Sequence, residues 1–302
     1  MLARVPFIPG LDIERDAAHR RVWAIVLTGD EPPVAGRAPR VRRASSSASR
    51  WPVTEAVARP RTLERASRLV PPGHMITVTT RRWARAWDAE LEGVPGARRL
   101  VQPTYRGRVV EMLLPLLKIA RHDPSATVIV LPADHGIDHE ARFLRYASRA
   151  VWAVALRPDQ PILIGAHPHA PVHGGWIEPG APVEGLEELA VCSVKRFVDA
   201  ASPAERRRLF EGNALTSTLI FVGRAGTLRA LAARAVPEIL EALEPLEDAF
   251  DTAEESLLCD AVYECMPEAD LVCLQRAPEL AVLPLPDVVW RSPEREPLLL
   301  AS

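Results

Sequence analysis

Residues Thr127 to Glu140 read Thr-Val-Ile-Val-Leu-Pro-Ala-Asp-His-Gly-Ile-Asp-His-Glu, and no other stretch constrains the fold as tightly. Thr127 to Leu131 are β-branched or apolar without alternation. That is the pattern of a strand buried on both faces, as at the centre of a layered α/β sheet. Pro132 ends the strand, since proline cannot donate to a ladder. Asp134 therefore falls at the carboxyl end of a central strand, where open α/β sheets hold their ligands. Two readings of it stand. One is a carboxylate holding a divalent cation such as Mg²⁺ against a phosphorylated substrate; the other is the N-cap of the following helix.

The chain around this strand alternates. Trp23 to Thr28 is a buried strand closed by Gly29, Thr62 to Val70 is helical, Met75 to Thr80 is a strand, and Leu100 to Pro103 is a shorter one. An apolar helix from Val109 to Arg121 stops at Asp123-Pro124. A further helix runs from Glu140 to about Leu156, and Pro161 to Ala166 forms another strand. This β-α order predicts a mostly parallel central sheet with helices on both faces. Trp83, Ala84, Trp87 and Leu91 recur at helical spacing, which makes them core contacts rather than a base-stacking platform.

Two stretches break the pattern. Asp30 to Pro60 is rich in Pro, Ser and Arg and has no period, so it reads as an exposed, mobile loop; its arginines offer phosphate binding as the alternative. His167 to Gly180 contains Gly174-Gly175-Trp176-Ile177 and reads as a turn-rich segment where backbone can approach a ligand closely. Beyond it lie a strand from Ala190 to Val198, a helix from Pro203 to Phe210 and a strand from Leu219 to Val222. Thr227 to Glu264 is helical, and Leu280 to Leu285 with Val288 to Trp290 closes the sheet. No repeat is visible. The expected organisation is an N-terminal extension over 1–21 and a single domain over 22–302.

Charge excludes some functions. With 37 basic and 39 acidic residues the net charge is -2, so no global field recruits nucleic acid or an anionic membrane. Cys192, Cys259, Cys265 and Cys273 have no zinc-finger spacing and read as reduced core thiols. His135, His139, His167, His169 and His173 lack a defined ligand spacing and read as polar loop residues rather than metal ligands. Met1 to Arg21 carry Asp12, Glu14 and Asp16, against a secretory signal, and no apolar run is long enough to span a bilayer. The expected location is cytoplasmic.

Several motifs together resemble the sugar-1-phosphate nucleotidyltransferases, and within them the bacterial mannose-1-phosphate guanylyltransferases. They are Ala24-Ile-Val-Leu-Thr-Gly29, Gln102-Pro-Thr-Tyr-Arg-Gly107, Asp123 to His135, Ile164-Gly165 with Pro171 to Ile177, and Arg196-Phe-Val-Asp199. The resemblance implies a Rossmann-like nucleotidyltransferase fold of the GT-A type, with a nucleoside triphosphate or nucleotide sugar as partner. It assigns Gly29, Arg106 and Gly107 to the nucleotide, Gly174, Gly175, Asp199 and Ser217 to the sugar, and Asp134 to Mg²⁺. Oligomeric assembly is left open, and no left-handed β-helix is expected after the domain.

The implied chemistry is an in-line attack of a sugar-1-phosphate oxygen on the α-phosphorus of the triphosphate, driven by positioning and cationic charge. The chain departs from the family where that charge belongs. Gly29-Asp30-Glu31-Pro32-Pro33 replaces a glycine-rich loop, Ser45 to Pro52 contains no lysine, and Asp199-Ala200-Ala201 replaces Glu-Lys-Pro. Ser217 stands for the sugar-binding Asn and Ser292 for a second metal carboxylate. Two functions follow: a divergent enzyme using Arg43, Arg50 or Arg106 as its cation, or a non-catalytic relative that binds a nucleotide sugar or a partner subunit. A third reading gives the Arg-rich loop an interaction role of its own.

Overall fold

The computed structural model describes residues 20–33, 62–94, 96–199 and 201–291. Along the chain run β1 (Val22–Leu27), α1 (Thr62–Ser67), β2 (Met75–Thr80), α2 (Ala84–Leu91), β3 (Ala97–Gln102), α3 (Arg108–His122), β4 (Thr127–Pro132), β5 (Gly136–Ile137), α4 (Glu140–Leu156) and β6 (Ile162–Ala166). The second half adds β7 (Trp176–Pro182), β8 (Cys192–Val198), α5 (Pro203–Glu211), β9 (Leu215–Arg224), α6 (Ala225–Ala235), α7 (Pro237–Ala249), α8 (Glu255–Glu264), α9 (Val272–Gln275), β10 (Ala281–Leu285) and β11 (Trp290–Arg291).

Nine strands form one sheet in the order β3-β2-β1-β4-β9-β6-β10-β8-β7. β3, β2, β1 and β4 are mutually parallel, as the β-α alternation requires. Past β4 the expectation of a mostly parallel sheet holds only for the β6–β10 pair. β9 enters antiparallel between β4 and β6, and β8 and β7 are antiparallel as well, so the sheet is mixed. β9 also pairs with β7 through Thr216 and Leu215, which joins β9, β6, β10, β8 and β7 into a closed ring.

Helices cover both faces, as predicted. Alternate residues of each central strand enter different cores: Ile25, Leu27, Val128 and Val130 pack with α3, α6 and α7, while Ala24, Val26, Ile129 and Leu131 pack with α1 and α4. That double burial is why Thr127 to Leu131 shows no alternation.

Other expectations are corrected. Trp176–Pro182 is a strand, not a turn, with Trp176 and Ile177 fully buried. Trp290 pairs with Ile137 in a separate two-stranded sheet instead of closing the main one. Cys265 and Cys273 are exposed, so only Cys259 is a buried thiol. The first residues of the expected mobile loop are pinned: the Asp30 and Glu31 carbonyls accept the indole N–H groups of Trp83 and Trp87 at 3.0 and 3.1 Å. Its remainder, with Arg43 and Arg50, lies outside the described residues. Among the described residues no helix is long and apolar enough to cross a membrane.

Candidate functional site

The carboxyl ends of β1 and β4 and the amino end of α3 meet at one place. β4 delivers Asp134, and the turn after it is held from two sides. Arg65 Nη2 donates to the His135 carbonyl at 3.0 Å, and Thr62 Oγ1 to the Ala133 carbonyl at 3.1 Å. The His135 ring packs against Trp290, centroids 4.3 Å apart. α4 begins at Glu140 with His139 as its N-cap, so Asp134 does not cap it. That leaves its carboxylate available for other work.

The partner of Asp134 is a residue that sequence reasoning passed over. Arg108 Nη2 donates to Asp134 Oδ2 at 3.0 Å, and the two side chains are only 12% and 16% exposed. Burial opposes ionisation of Asp134, but the charges of His135 and Arg108 outweigh it and hold the carboxyl below its ordinary range. Asp134 Oδ1 is buried with no hydrogen bond and lies 3.9 Å from His135 Nε2. The sequence signal was there: Arg108 opens a helix immediately after a glycine, at the mouth of the strand ends.

Among the described residues, the side chains around Asp134 do not by themselves make up a divalent-ion site. The first carboxylate already carries a guanidinium, and Ser292 lies outside the described residues. Among the described residues no group of three or more His, Cys, Asp or Glu is arranged to hold a metal.

Gly29, assigned to the nucleotide, is buried in a left-handed turn with φ of 66° and donates its N–H to Glu111 Oε1 at 2.9 Å. Glu111 sits one turn after Arg108 on α3 and is completely buried. Burial pushes its carboxyl up to about 8, against the pull of the Gly29 N–H and of Arg108. Its Oε2 has no hydrogen-bond partner. Glu111 was also missed, because an acidic residue in a first helical turn ordinarily serves the helix dipole at the surface.

Arg106 and Gly107 serve the scaffold. Arg106 donates from Nη2 to the Tyr263 and Glu264 carbonyls at 3.0 and 3.4 Å, capping the end of α8. Gly107 has φ of 89° and lies against the Ala269 backbone, which in turn accepts from Val109 N–H at 3.1 Å. Gln102 accepts from Tyr263 Oη at 3.2 Å.

The sugar residues converge better. A cavity of about 210 Å³ is lined by Gly174, Gly175, Asp199, Arg108, Asp270 and Gln275 among others. The Gly175 carbonyl accepts from Ser217 N–H at 2.9 Å, tying β9 to the turn before β7. A Cβ on Gly175 would sit 2.5 Å from the Phe197 ring, so any larger residue there would have to displace that ring. Ser217 itself is fully buried, its hydroxyl accepts from Leu219 N–H at 3.2 Å, and it does not line the cavity. Gln275 is 1% exposed, lines the cavity, and neither its Oε1 nor its Nε2 has a hydrogen-bond partner. The short α9 that carries it was not visible as a period in the sequence.

The architecture defines a class: a mixed α/β nucleotidyltransferase-type fold, with the candidate site at the ends of β1 and β4. Comparisons with known proteins agree. The structure matches a mannose-1-phosphate geranyltransferase from Thermus thermophilus with a TM-score of 0.68 at 22% identity, over 90% of this chain and 76% of that one. It matches a mannose-6-phosphate isomerase from Helicobacter pylori with a TM-score of 0.65 at 15% identity, over 90% of this chain and 99% of that one. In sequence, 195 residues are 26% identical to the alginate biosynthesis protein AlgA of Pseudomonas fluorescens, covering 62% of this chain. The match spans about two fifths, 39%, of that relative's length. No protein-family model matches the chain. These likenesses support the sugar-phosphate nucleotidyltransferase family, as the motifs implied.

Proposed function

We propose that this chain is a non-catalytic member of the sugar-phosphate nucleotidyltransferase group that binds a sugar phosphate or nucleotide sugar. The observation that carries the reading is the Gly29 N–H, which is bound to the buried Glu111 carboxyl at 2.9 Å. In the family resemblance, the loop after the first strand offers its N–H groups to the triphosphate. Here that donor is turned inward onto an acidic group, beside a second carboxylate that is itself neutralised by Arg108. A catalyst for phosphoryl transfer needs those groups free to meet developing negative charge.

The cavity keeps the properties of a binding pocket. Asp199 and Asp270 offer carboxylates to sugar hydroxyls, Gln275 offers a donor and an acceptor, and Arg108 supplies positive charge. Mannose-1-phosphate and GDP-mannose are the natural first probes, given the relatives. A thermal unfolding series tests the reading. GDP-mannose or mannose-1-phosphate at millimolar concentration is expected to raise the melting temperature in a saturable way, because a ligand that binds only the folded chain stabilises it by mass action. A melting temperature independent of both ligands would remove the proposed function.

A further inference from the structure

We propose that Arg108 is the fixed cation of this site: Asp134 holds a guanidinium in the position where the family resemblance puts a divalent metal, and the unpartnered Nη1 of that guanidinium, with the Gln275 amide, receives a phosphate oxygen without metal. The second half of this statement rests on the sugar-phosphate reading above; the first half does not.

The geometry supports it in three ways. Arg108 Nη2 reaches Asp134 Oδ2 at 3.0 Å, and both side chains are largely withdrawn from water, so the pair persists where an exposed one would exchange with solvent. Arg108 has a second terminal nitrogen, Nη1, that is buried and meets no partner at hydrogen-bond geometry within the described residues, although the Tyr105 hydroxyl also faces the guanidinium. Arginine presents a planar fork, so one edge can hold a carboxylate while the other faces an oxyanion. The cavity that Arg108 lines is also lined by Gln275, whose amide is buried with both polar atoms unpartnered. Buried polar atoms in folded proteins are nearly always satisfied, so two such groups on one cavity mark the place a ligand completes.

The surrounding charges set the ligand's class. Asp199 and Asp270 line the same cavity. A compact, highly charged phosphate cluster would be repelled by them, whereas a single phosphoryl group carried on a polyol would place its oxygens at Arg108 and its hydroxyls at the carboxylates. The guanidinium is permanently charged and needs no loading, so affinity is set by the chain alone.

Two measurements decide the inference, one without any organic ligand. Mn²⁺ alone is titrated into the wild type and Asp134→Asn and followed by electron paramagnetic resonance. The two proteins are expected to bind Mn²⁺ identically. A site present in the wild type and lost in Asp134→Asn would overturn the assignment of Arg108 as the cation.

In the second measurement mannose-1-phosphate, the single phosphoryl group on a polyol, is titrated calorimetrically in EDTA and in excess Mg²⁺. The dissociation constants are expected to agree within about twofold, and Arg108→Met and Gln275→Met are each expected to weaken binding by about tenfold or more, the usual worth of a buried hydrogen bond to a charged group. Gln275→Met leaves the ion pair untouched and covers the case in which Arg108→Met fails to fold. A tenfold gain in affinity on adding Mg²⁺, or undiminished binding by Gln275→Met, would overturn the phosphate role. No binding in either buffer would overturn that role together with the sugar-phosphate reading, and the Mn²⁺ titration would still decide what Asp134 holds.

Discussion

Three side chains set the character of the site: Arg108, Glu111 and Asp134. Arg108 and Glu111 lie three positions apart on α3 and so share a face. Glu111 is the more informative for stability. Its folded carboxyl is pushed up to about 8 from an ordinary 4.5, so the native state keeps a proton that the unfolded chain releases. The stabilisation is therefore complete below the unfolded value and is lost as pH rises from about 4.5 through about 8. Glu111→Gln keeps an oxygen to accept from Gly29 and cannot ionise. We expect the variant to show a flatter stability profile than the wild type between pH 5 and 9 and to be the more stable of the two at pH 9, by about 1 kcal/mol or more. Urea denaturation across that range measures it, and parallel profiles would mean that Glu111 ionises normally.

Among the elements, α3 was legible almost to the residue, because ten of its fifteen residues are buried and its apolar face is continuous. α4 was equally plain. β7 was not: Pro179, Gly180 and Pro182 sit inside it and mimic a turn, and it is tolerated because β7 carries irregular pairing to β8. β9 was read only in part, since Leu219 has φ of 60° and interrupts the strand pattern in the middle of a ten-residue element. The start of α3 depends on Gly107 in a way no sequence pattern announces. A Cβ there would collide with the Ala269 carbonyl, and its φ of 89° is unfavourable for any other residue. We expect Gly107→Ala to cost at least about 1–3 kcal/mol from backbone strain alone. Chemical denaturation tests this, and a loss below half a kilocalorie would show that the Ala269 segment yields freely.

Over the whole molecule, the parallel block β3-β2-β1-β4 was legible because each strand is followed by a helix of recognisable period. The mixed half was not, since the insertion of β9 between β4 and β6 is a long-range pairing with no local signature. The candidate site shows the same division. Asp134 and the Gly174-Gly175 turn were visible as motifs; Asp134 pairs with Arg108, and Gly174, Gly175 and Arg108 line one cavity. Arg106 and Gly107 matched a motif and yet hold α8 and the Ala269 segment in place. Arg108 carried only the signal of opening a helix after a glycine, and Glu111 and Gln275 carried none, because what distinguishes the three is burial without a full set of partners, a property of the folded chain only.

The central claim is that the groups a nucleotidyltransferase turns toward its triphosphate are bound internally here, leaving a pocket that binds without catalysing. Pyrophosphate release from GTP and mannose-1-phosphate in the presence of Mg²⁺ tests it most directly. Removing one preorganised charge-stabilising group typically costs about a hundred- to thousandfold in rate. The account predicts turnover at least about a thousandfold below one per second, the lower end of the ordinary enzyme range. Turnover of about one per second or faster would contradict it.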